Sequence, residues 1–208
     1  MTTSEPLEKS FIILGAGGHA VVIADALKKC GFPIRGFLDD GVLTGVEILG
    51  IKVLGKIEDC RYYQDCLFII GIGDNTVRGS IAHTYRLEYG TVIHPSAIIG
   101  HQVSIGAGTV VMAGCVINSG TIIGEHCIIN TTASVDHDNR IGDFTHISPG
   151  AVLGGSVVVG SGTHIGIGAK VKNNITISEN VVVGVGAVII KGIEESGTYV
   201  GVPARRIK

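Results

Sequence analysis

The chain has no tryptophan, and phenylalanine and tyrosine together supply only 5% of its 208 residues. Its hydrophobic residues, 45% of the total, are therefore mostly aliphatic, which suits a thin core built of repeated layers. There is no run of eighteen apolar residues, so the sequence predicts no membrane-spanning helix. The formal net charge is only −2, which leaves no electrostatic basis for binding nucleic acid.

The five cysteines form no CxxC pair, and their number is odd. Such a set is not typical of a disulfide-bonded secreted protein. The first ten residues, MTTSEPLEKS, are polar and lack the apolar segment of a signal peptide. We therefore expect a cytoplasmic protein.

Glycine is abundant instead, with 32 residues, and much of it belongs to a repeat with a period of six. From Ile93 to Ile189 every sixth residue is Ile, Val or Leu, seventeen in succession without an insertion. A second column, four residues after each of these, is mostly small or β-branched. Because strand residues alternate between two faces, both columns point inward and the residue between them points outward. Three strands and three turns would close a coil, so the repeat predicts a left-handed parallel β-helix of a little over five coils.

Three residues turn the chain between successive strands of this repeat. The first of them is glycine in eight repeats and asparagine or aspartate in several others. Since these residue types adopt a left-handed backbone at low cost, we expect the left-handed conformation at the first turn position. The small inward column includes Cys115 and Cys127, so both are expected to be core thiols.

The outward strand positions carry more aliphatic surface than a monomer should expose. Nine of the sixteen are apolar, and three copies packed about an axis would bury them. We therefore predict a homotrimer with sites between its subunits. The apolar outward residues are Ile98, Val110, Val116, Ile122, Ile128, Val152, Val158, Val182 and Val188.

The first ninety residues have a different pattern. An apolar strand, a glycine-rich turn, an amphipathic helix and a second strand follow one another, as in a βαβ nucleotide-binding unit. The sequence thus predicts two domains, residues 1–90 with a small Rossmann-like α/β fold and residues 91–208 with the β-helix. In the N-terminal domain we expect strands at Phe11–Leu14, Ile34–Leu38 and 67–72. We expect one helix at 20–29, which Gly31 would end, and a second helix that ends near residue 87.

The glycine-rich loop matches G-x-G-x-x-A at residues 15–20, and Asp39 follows about twenty residues after it. NAD is one ligand for such a loop, but ninety residues are too few for two βαβαβ halves, which favours a mononucleotide or a nucleotide sugar. A purely structural turn is the third alternative. The glycines would let phosphates approach the helix N-terminus, and Asp39 and Asp40 could accept hydrogen bonds from the base or ribose. His19, at the start of the helix, is either a ligand contact or a solvated residue.

His137 lies in the most polar repeat of the array, at the middle of a corner, so its ring should point away from the core. Asp138 follows in the same turn, where its carboxylate can bond one ring nitrogen and raise the basicity of the other. A general base needs this arrangement, and a solvated corner histidine is the alternative. His101 and His126, in other turns, are expected to be solvated, and His94 at the domain junction to be structural.

His146 and His164 are outward strand residues eighteen positions apart, so they should stack on one face about 5 Å apart. Stacked imidazoles are compatible with a zinc site like that of γ-type carbonic anhydrases, which would make the protein a hydratase. The spacing between His137 and His146 does not resemble that type, and no acidic ligand is evident. We therefore expect no metal.

Six motifs span nearly the whole chain: GAGGH at 15–19, LDD at 38–40, GIGDN at 71–75 with Arg78, NTTASVDHD at 130–138, IGDFTHISPGA at 141–151 and GVPARRI at 201–207. With them the chain resembles the bacterial sugar acetyltransferases of the PglD/NeuD group. Within that group it is most similar to the branch that acetylates a UDP-4-amino-6-deoxy sugar in bacillosamine synthesis.

The resemblance implies an acetyl-CoA-dependent N-acetyltransferase for a nucleotide-linked 4-amino-deoxy sugar, with His137 as general base and Asp138 as the acid that follows it. Gly155, one coil above His137, matches the position whose amide faces the thioester. Positions that match acetyl-CoA contacts are Asn130, His146, Ile167 and Val185, and those that match nucleotide-sugar contacts are Gly17, Gly18, His19, Asp39, Asp40 and Gly73.

Two residues depart from the expected pattern. Asp138 is shorter than the glutamate of the bacillosamine enzyme, which puts its reach to His137 in question. Asn139 takes an inward slot that is usually small and apolar, and a buried amide without partners costs about 1–3 kcal/mol. We expect its side chain to bond the backbone of the catalytic corner.

Two other functions stay open at this point. One is O-acetylation of sialic acid or another sugar, and the other is non-catalytic binding of a nucleotide sugar. The His137–Asp138 pair favours catalysis, and the N-terminal nucleotide pattern favours an amine on a nucleotide sugar.

Overall fold

The computed structural model describes residues 9–208; the first eight residues of the predicted N-terminal domain lie outside this range. A five-stranded sheet in the order β3-β4-β2-β1-β5 forms the centre of the N-terminal part. Its strands are parallel except for β3, which forms an antiparallel hairpin with β4. The elements are β1 (Phe11–Leu14), α1 (Gly18–Cys30), β2 (Ile34–Leu38), β3 (Glu47–Ile48), β4 (Ile51–Gly55), a 3-10 helix (Ile57–Tyr62), β5 (Leu67–Ile70) and α2 (Asn75–Thr84).

The predicted βαβ unit is confirmed. Strand β1 is buried along its whole length because both faces of the sheet are covered. Phe11 and Ile13 pack on the side of α1, and Ile12 and Leu14 pack on the side of the 3-10 helix and α2. Gly31 ends α1 in the left-handed conformation, with φ 81°. The β3–β4 hairpin and the 3-10 helix were not predicted.

The rest of the chain forms a parallel β-helix with three flat faces. Strands that pair are eighteen residues apart, so that Ser134 lies between Val116 and Val152. Face I contains β6, β9, β12, β15, β18 and β21, face II β7, β10, β13, β16, β19 and β22, and face III β8, β11, β14, β17 and β20. The strands are β6 (Val92–Ile93), β7 (Ile98–Ile99), β8 (Ser104–Ile105), β9 (Val110–Val111), β10 (Val116–Ile117), β11 (Ile122–Ile123), β12 (Ile128–Ile129), β13 (Ser134–Val135), β14 (Arg140–Ile141), β15 (His146–Ile147), β16 (Val152–Leu153), β17 (Val158–Val159), β18 (His164–Ile165), β19 (Lys170–Val171), β20 (Thr176–Ile177), β21 (Val181–Val183) and β22 (Val188–Ile189).

These seventeen strands, three to a coil, confirm the β-helix and its length of a little over five coils. The inward aliphatic column is buried from Val111 onward. Ile93 and Ile99 in the first coil are each 36% exposed, because no coil lies beneath them. At the other end, β23 (Gly197–Val200) and β24 (Arg205–Arg206) extend face I.

In fifteen of the sixteen corners between these strands the third turn residue is left-handed, so the prediction for the first position is wrong. Asp138, for example, has φ 58° and Phe144 has φ 57°. Glycine at the first position has another cause, which is close approach of the next coil. A Cβ added to Gly142 would lie 2.6 Å from the backbone nitrogen of Ser161.

Polar side chains in the small inward column bond the backbone of the next coil. The hydroxyl of Thr121 donates to the carbonyl of Asp136 at 2.8 Å, and that of Thr163 donates to Ser178 O at 2.9 Å. Cys115 and Cys127 are buried in the same column, as predicted, and their thiols donate to carbonyl oxygens fifteen residues further on. Each of these links ties one coil to the next.

The outward apolar surface is smaller than predicted, because the N-terminal part covers two of its nine residues. Val110 and Ile128 on face I are 2% and 1% exposed and belong to one hydrophobic core with residues of α1. The remaining apolar residues lie mainly on faces II and III, where Ile98 is 64% exposed. Within residues 9–208, neither helix has the length and hydropathy needed to cross a bilayer.

Candidate functional site

His137 occupies the middle of the corner between faces II and III, directly after β13. Its Nδ1 lies 2.8 Å from Oδ2 of Asp138, so the shorter acid does reach the ring. The left-handed backbone of Asp138 turns its carboxylate back toward His137. This hydrogen bond, assisted by the charge of Asp136, raises the pKa of His137. The imidazole is therefore a stronger base than an isolated histidine, and its side chain is 57% exposed.

Asp136 and Asn118 fix the start of this corner. Oδ1 of Asp136 accepts hydrogen bonds from Nδ2 of Asn118, one coil below, and from the backbone N–H of His137, both at 2.8 Å. These two bonds lower the pKa of Asp136. The backbone that carries His137 is thus tied to the neighbouring coil.

Asn139 supports the same corner from inside. Its side chain is fully buried, and Nδ2 donates to the carbonyl oxygens of Asp136 at 2.7 Å, Gly154 at 3.0 Å and His137 at 3.2 Å. The expectation that this amide bonds the backbone of the corner is confirmed. Within the described chain, Oδ1 has no hydrogen-bond partner.

Gly155 lies one coil above His137, and the N–H of Ser156 beside it donates to His137 O at 2.9 Å. A Cβ at Gly155 would lie 2.5 Å from Nε2 of His137, so a side chain there would displace the ring from its present position. A cavity of about 520 Å³ opens here, lined by His137, Gly155, Lys170 and Lys172. The ring of His137 and the backbone of Gly155 thus line the cavity side by side.

His146 and His164 stack on face I as predicted, with ring centroids 4.7 Å apart and planes 5° from parallel. Nδ2 of Asn130 lies 3.0 Å from Nε2 of His146, and Oδ1 of Asn130 accepts the N–H of Thr131 at 2.8 Å. Burial, then the nearby charges of His164 and Arg78, lowers the pKa of His146 to about 3. Both rings are therefore neutral near pH 7. Among the described residues, no cluster of three or more His, Cys, Asp or Glu could hold a metal ion.

Ile167 and Val185 lie at the middle of the corner between faces I and II, on successive coils. The N–H of Gly186 donates to Ile167 O at 2.8 Å, which confirms that the two corners are stacked. The two side chains are 54% and 75% exposed. Asn130 starts the same corner two coils below Ile167, so the predicted acetyl-CoA residues share face I and its edge. His137, Asp138 and Gly155 lie at the opposite corner of the same chain.

The predicted nucleotide-sugar glycines surround open space. A Cβ on Gly17, Gly18 or Gly73 would meet no atom within 4 Å, so the packing of the protein itself does not require glycine there. Gly17 precedes the first turn of α1, whose N–H groups favour an anion. His19 is half-buried, and its ring lies 6.5 Å from that of His146. Burial, with the charge of Arg78, lowers the pKa of His19 to about 4.

Asp39 and Asp40 follow β2, as predicted, and line a cavity of about 400 Å³ against α2. Oδ2 of Asp39 accepts the N–H of Ala16 at 2.7 Å, while Oδ1 accepts two N–H groups of its own turn. Desolvation acts to raise the pKa of Asp39, but these three backbone bonds outweigh it and lower the pKa. Asp39 therefore shapes the glycine-rich loop as well as lining the cavity.

His126 is buried, so the prediction that it is solvated is wrong, whereas His101 is exposed as expected. The His126 ring stacks on Phe144 at 5.3 Å and meets the edge of Tyr89 at 4.4 Å. Sequence reasoning also missed Lys170 and Lys172, since an outward lysine in a strand or turn is normally a solubilising residue. The hexapeptide pattern signals neither the contact of Tyr89 with His126 nor the placement of the two lysines beside His137.

Known proteins share both halves of this architecture. The profile of the PglD N-terminal domain matches residues 10–85. The acetyltransferase domain of PglB from Neisseria gonorrhoeae is 33% identical, with a TM-score of 0.90 over 96% of this chain and 100% of that one. PerB from Caulobacter crescentus, solved in complex with CoA and GDP-perosamine, is 35% identical, with a TM-score of 0.90 over 97% and 98%.

Curated relatives match over shorter segments. The UDP-N-acetylbacillosamine N-acetyltransferase of Bacillus subtilis is 40% identical over 105 residues, which are 47% of this chain and 49% of that enzyme. An uncharacterized protein of Acanthamoeba polyphaga mimivirus is 36% identical over 95 residues, 45% of this chain and 19% of that protein. The match therefore spans about half, or less, of these two relatives. Because the solved acetyltransferases are more than 30% identical over nearly their whole length, the chain belongs to the PglD-like family of sugar acetyltransferases with a hexapeptide-repeat β-helix.

Proposed function

We propose that the protein transfers an acetyl group from acetyl-CoA to the amine of a nucleotide-linked 4-amino-deoxy sugar. The observation that carries the proposal is the His137–Asp138 pair, whose free Nε2 faces the cavity beside Gly155. Relatives act on or bind such sugars: the B. subtilis enzyme is named for a UDP sugar, and PerB was solved with GDP-perosamine. We favour a UDP sugar, on the resemblance of the motifs to the bacillosamine branch.

Each residue of the corner has a role in this reaction. Acetyl-CoA supplies the acetyl group as an activated thioester. His137 Nε2 accepts the proton of the sugar amine as its nitrogen bonds the carbonyl carbon, and Asp138 stabilises the imidazolium through Nδ1–H. The N–H of Gly155, which has no protein acceptor within residues 9–208, donates to the carbonyl oxygen as negative charge develops there. His137 then gives the proton to the departing sulfur and becomes neutral again.

The site is completed by a second copy of the chain. His19, in the glycine-rich loop at residues 15–20, lies beside His146 on face I, whereas His137 is at the opposite corner. One chain therefore does not bring its own loop and base together. The exposed apolar residues of faces II and III, such as Ile98 and Val152, supply the surface for a homotrimer in which His137 of one subunit meets face I of the next.

A thiol-release assay tests the function directly. The protein is mixed with acetyl-CoA and a panel of UDP-, GDP- and TDP-linked 4-amino sugars, and free CoA is followed with time. We expect release with a UDP-4-amino sugar and a loss of at least about 100-fold in His137→Ala. Sialic acid and an unlinked amino sugar serve as acceptor controls.

Three results would contradict the proposal. If no nucleotide amino sugar caused CoA release, the proposed acetyl transfer would be excluded. Faster release with sialic acid would make the protein an O-acetyltransferase. Undiminished release in His137→Ala would remove the assigned base.

A further inference from the structure

One arginine, Arg78, bonds both the loop that contains Gly73 and the β-helix. The Arg78 side chain, on α2, is 1% exposed, and all five of its N–H groups donate. Nε donates to His126 O at 2.7 Å, Nη1 to the carbonyls of Ile72 and Gly73, both at 3.1 Å, and Nη2 to Phe144 O at 2.9 Å and Asn75 Oδ1 at 2.7 Å. Lysine has one ammonium group and does not reproduce this fork.

Asn75 extends the same set of contacts. Its Oδ1 accepts from Arg78, so its Nδ2 faces the β-helix and donates to Gly162 O at 2.9 Å and Thr163 O at 3.2 Å. His126, Phe144 and Gly162 are eighteen residues apart and hold the same corner position on three successive coils. The first turn of α2 therefore bonds three carbonyl groups in a column and fixes its own height along the β-helix.

The contacts of Arg78 and Asn75 connect the two regions of the chain that would bind the two substrates of the proposed reaction. On one side is Gly73, a predicted nucleotide-sugar contact, which directly follows Ile72. On the other side, His146 and His164 line face I, and a cavity of about 460 Å³ lies between them and Gly73. We propose that Arg78 and Asn75 are positioning residues that form a clamp, which sets the distance between the amine of the bound sugar and the thioester. The inference rests on the function proposed above.

The charge of Arg78 has a second effect on the same region. Burial lowers the pKa of Arg78 to about 10, so the guanidinium stays charged near pH 7. Its charge adds to burial in lowering the pKa of His19, His146 and His164. Asp74, which caps α2, is an acid whose charge opposes this effect at His164. The charge of Arg78 thus reinforces the effect of burial, which keeps these three imidazoles neutral.

Binding and transfer, measured separately, test the clamp. Arg78→Lys, Arg78→Met and Asn75→Ala are compared with Arg35→Met, which removes an exposed arginine from β2. Binding of CoA alone, and of UDP or GDP alone, is measured by calorimetry, and transfer is measured in a single turnover. We expect both dissociation constants to stay within about twofold, while transfer slows by about 10- to 100-fold in the three clamp variants, because small misplacements are costly in rate. Arg35→Met should match the wild type.

Other outcomes overturn the clamp. If the dissociation constant for the nucleotide rose by the same factor as the transfer rate fell, Arg78 would be a binding residue. If the transfer rate did not change, Arg78 would have no positioning role. Loss of both binding reactions in Asn75→Ala and Arg78→Lys would make the contacts purely structural.

A measurement without substrates separates this inference from the proposed function. Amide hydrogen exchange at residues 71–75 should be at least about tenfold faster in Arg78→Lys and Asn75→Ala, with β15 and β18 unchanged. If the wild type transfers no acetyl group, the proposed function fails, and unchanged exchange at residues 71–75 would refute the clamp by itself.

Discussion

Replacing Asn139 with alanine tests how the catalytic corner is supported. The side chain is completely buried, so the change removes three hydrogen bonds and no surface contact. Two of the three carbonyl acceptors keep another donor. Asp136 O still accepts from Thr121, and His137 O still accepts from the N–H of Ser156. Gly154 O loses its side-chain donor.

The expected change in stability follows from these contacts. An unsatisfied Gly154 carbonyl costs about 1–3 kcal/mol, and loss of the two shared bonds adds about 1 kcal/mol. Removal of the unpaired Oδ1 returns part of this cost. The net destabilisation is therefore about 2 kcal/mol, which lowers the melting temperature by about 4–8 °C for a chain of this size.

Asn139→Thr is the matched control. Thr121 and Thr163 occupy equivalent inward positions, and their hydroxyls bond the carbonyl fifteen residues ahead. A threonine at 139 should do the same to Gly154 O, and so keep stability within about 1 kcal/mol of wild type. It still lacks the bonds to Asp136 O and His137 O, so both variants should acetylate more slowly.

Thermal unfolding and thiol release measure the two effects. An Asn139→Ala variant that is at least as stable and as active as the wild type would refute the role given to this amide. If Asn139→Thr were as unstable as Asn139→Ala, the link to Gly154 would not be the main contribution to stability.

Asp138→Asn should move the acid limb of the kcat/KM profile to lower pH, because neutral His137 is the active form and loss of its partner lowers its raised pKa; a profile that stays in place would contradict the pairing. Gly17→Ala should leave the melting temperature unchanged and raise KM for the nucleotide sugar, since only the ligand would meet the new Cβ. Gly142→Ala should instead cost about 1–3 kcal/mol of stability, because its Cβ meets the backbone of the next coil. Ile98→Asp should shift the sedimenting species from trimer to monomer, and an unchanged trimer would exclude face II from the interface.

The hexapeptide columns could be predicted because burial in a β-helix is local and periodic. Asn139 was found for the same reason, as a polar residue in a column of small ones. The turn conformation could not be predicted, because glycine serves two purposes that look alike in a sequence. Gly108 has a left-handed backbone, with φ 71°, whereas Gly142 accommodates the coil above it.

Contacts between the two parts of the chain had no local signal. Arg78 belongs to a recognisable motif, but its partners His126 and Phe144 lie 48 and 66 residues away. His126 stacks on Phe144, which the eighteen-residue register places on the next coil, whereas Tyr89 meets the edge of its ring only after the N-terminal part docks on the β-helix. Such placements depend on how two folded surfaces fit, and no periodicity in one strand or helix encodes that fit.

The eighteen-residue register also limits how proteins of this shape can change in length. Whole coils are the unit of insertion, so functional groups along the β-helix can separate only in steps of about 4.8 Å. His137 and Gly155 lie at levels between those of the carbonyls of His126 and Gly162, which α2 bonds. A coil added within this stretch would shift one substrate region past the other by a full step. A coil added after it would lengthen the protein and leave the reacting groups where they are.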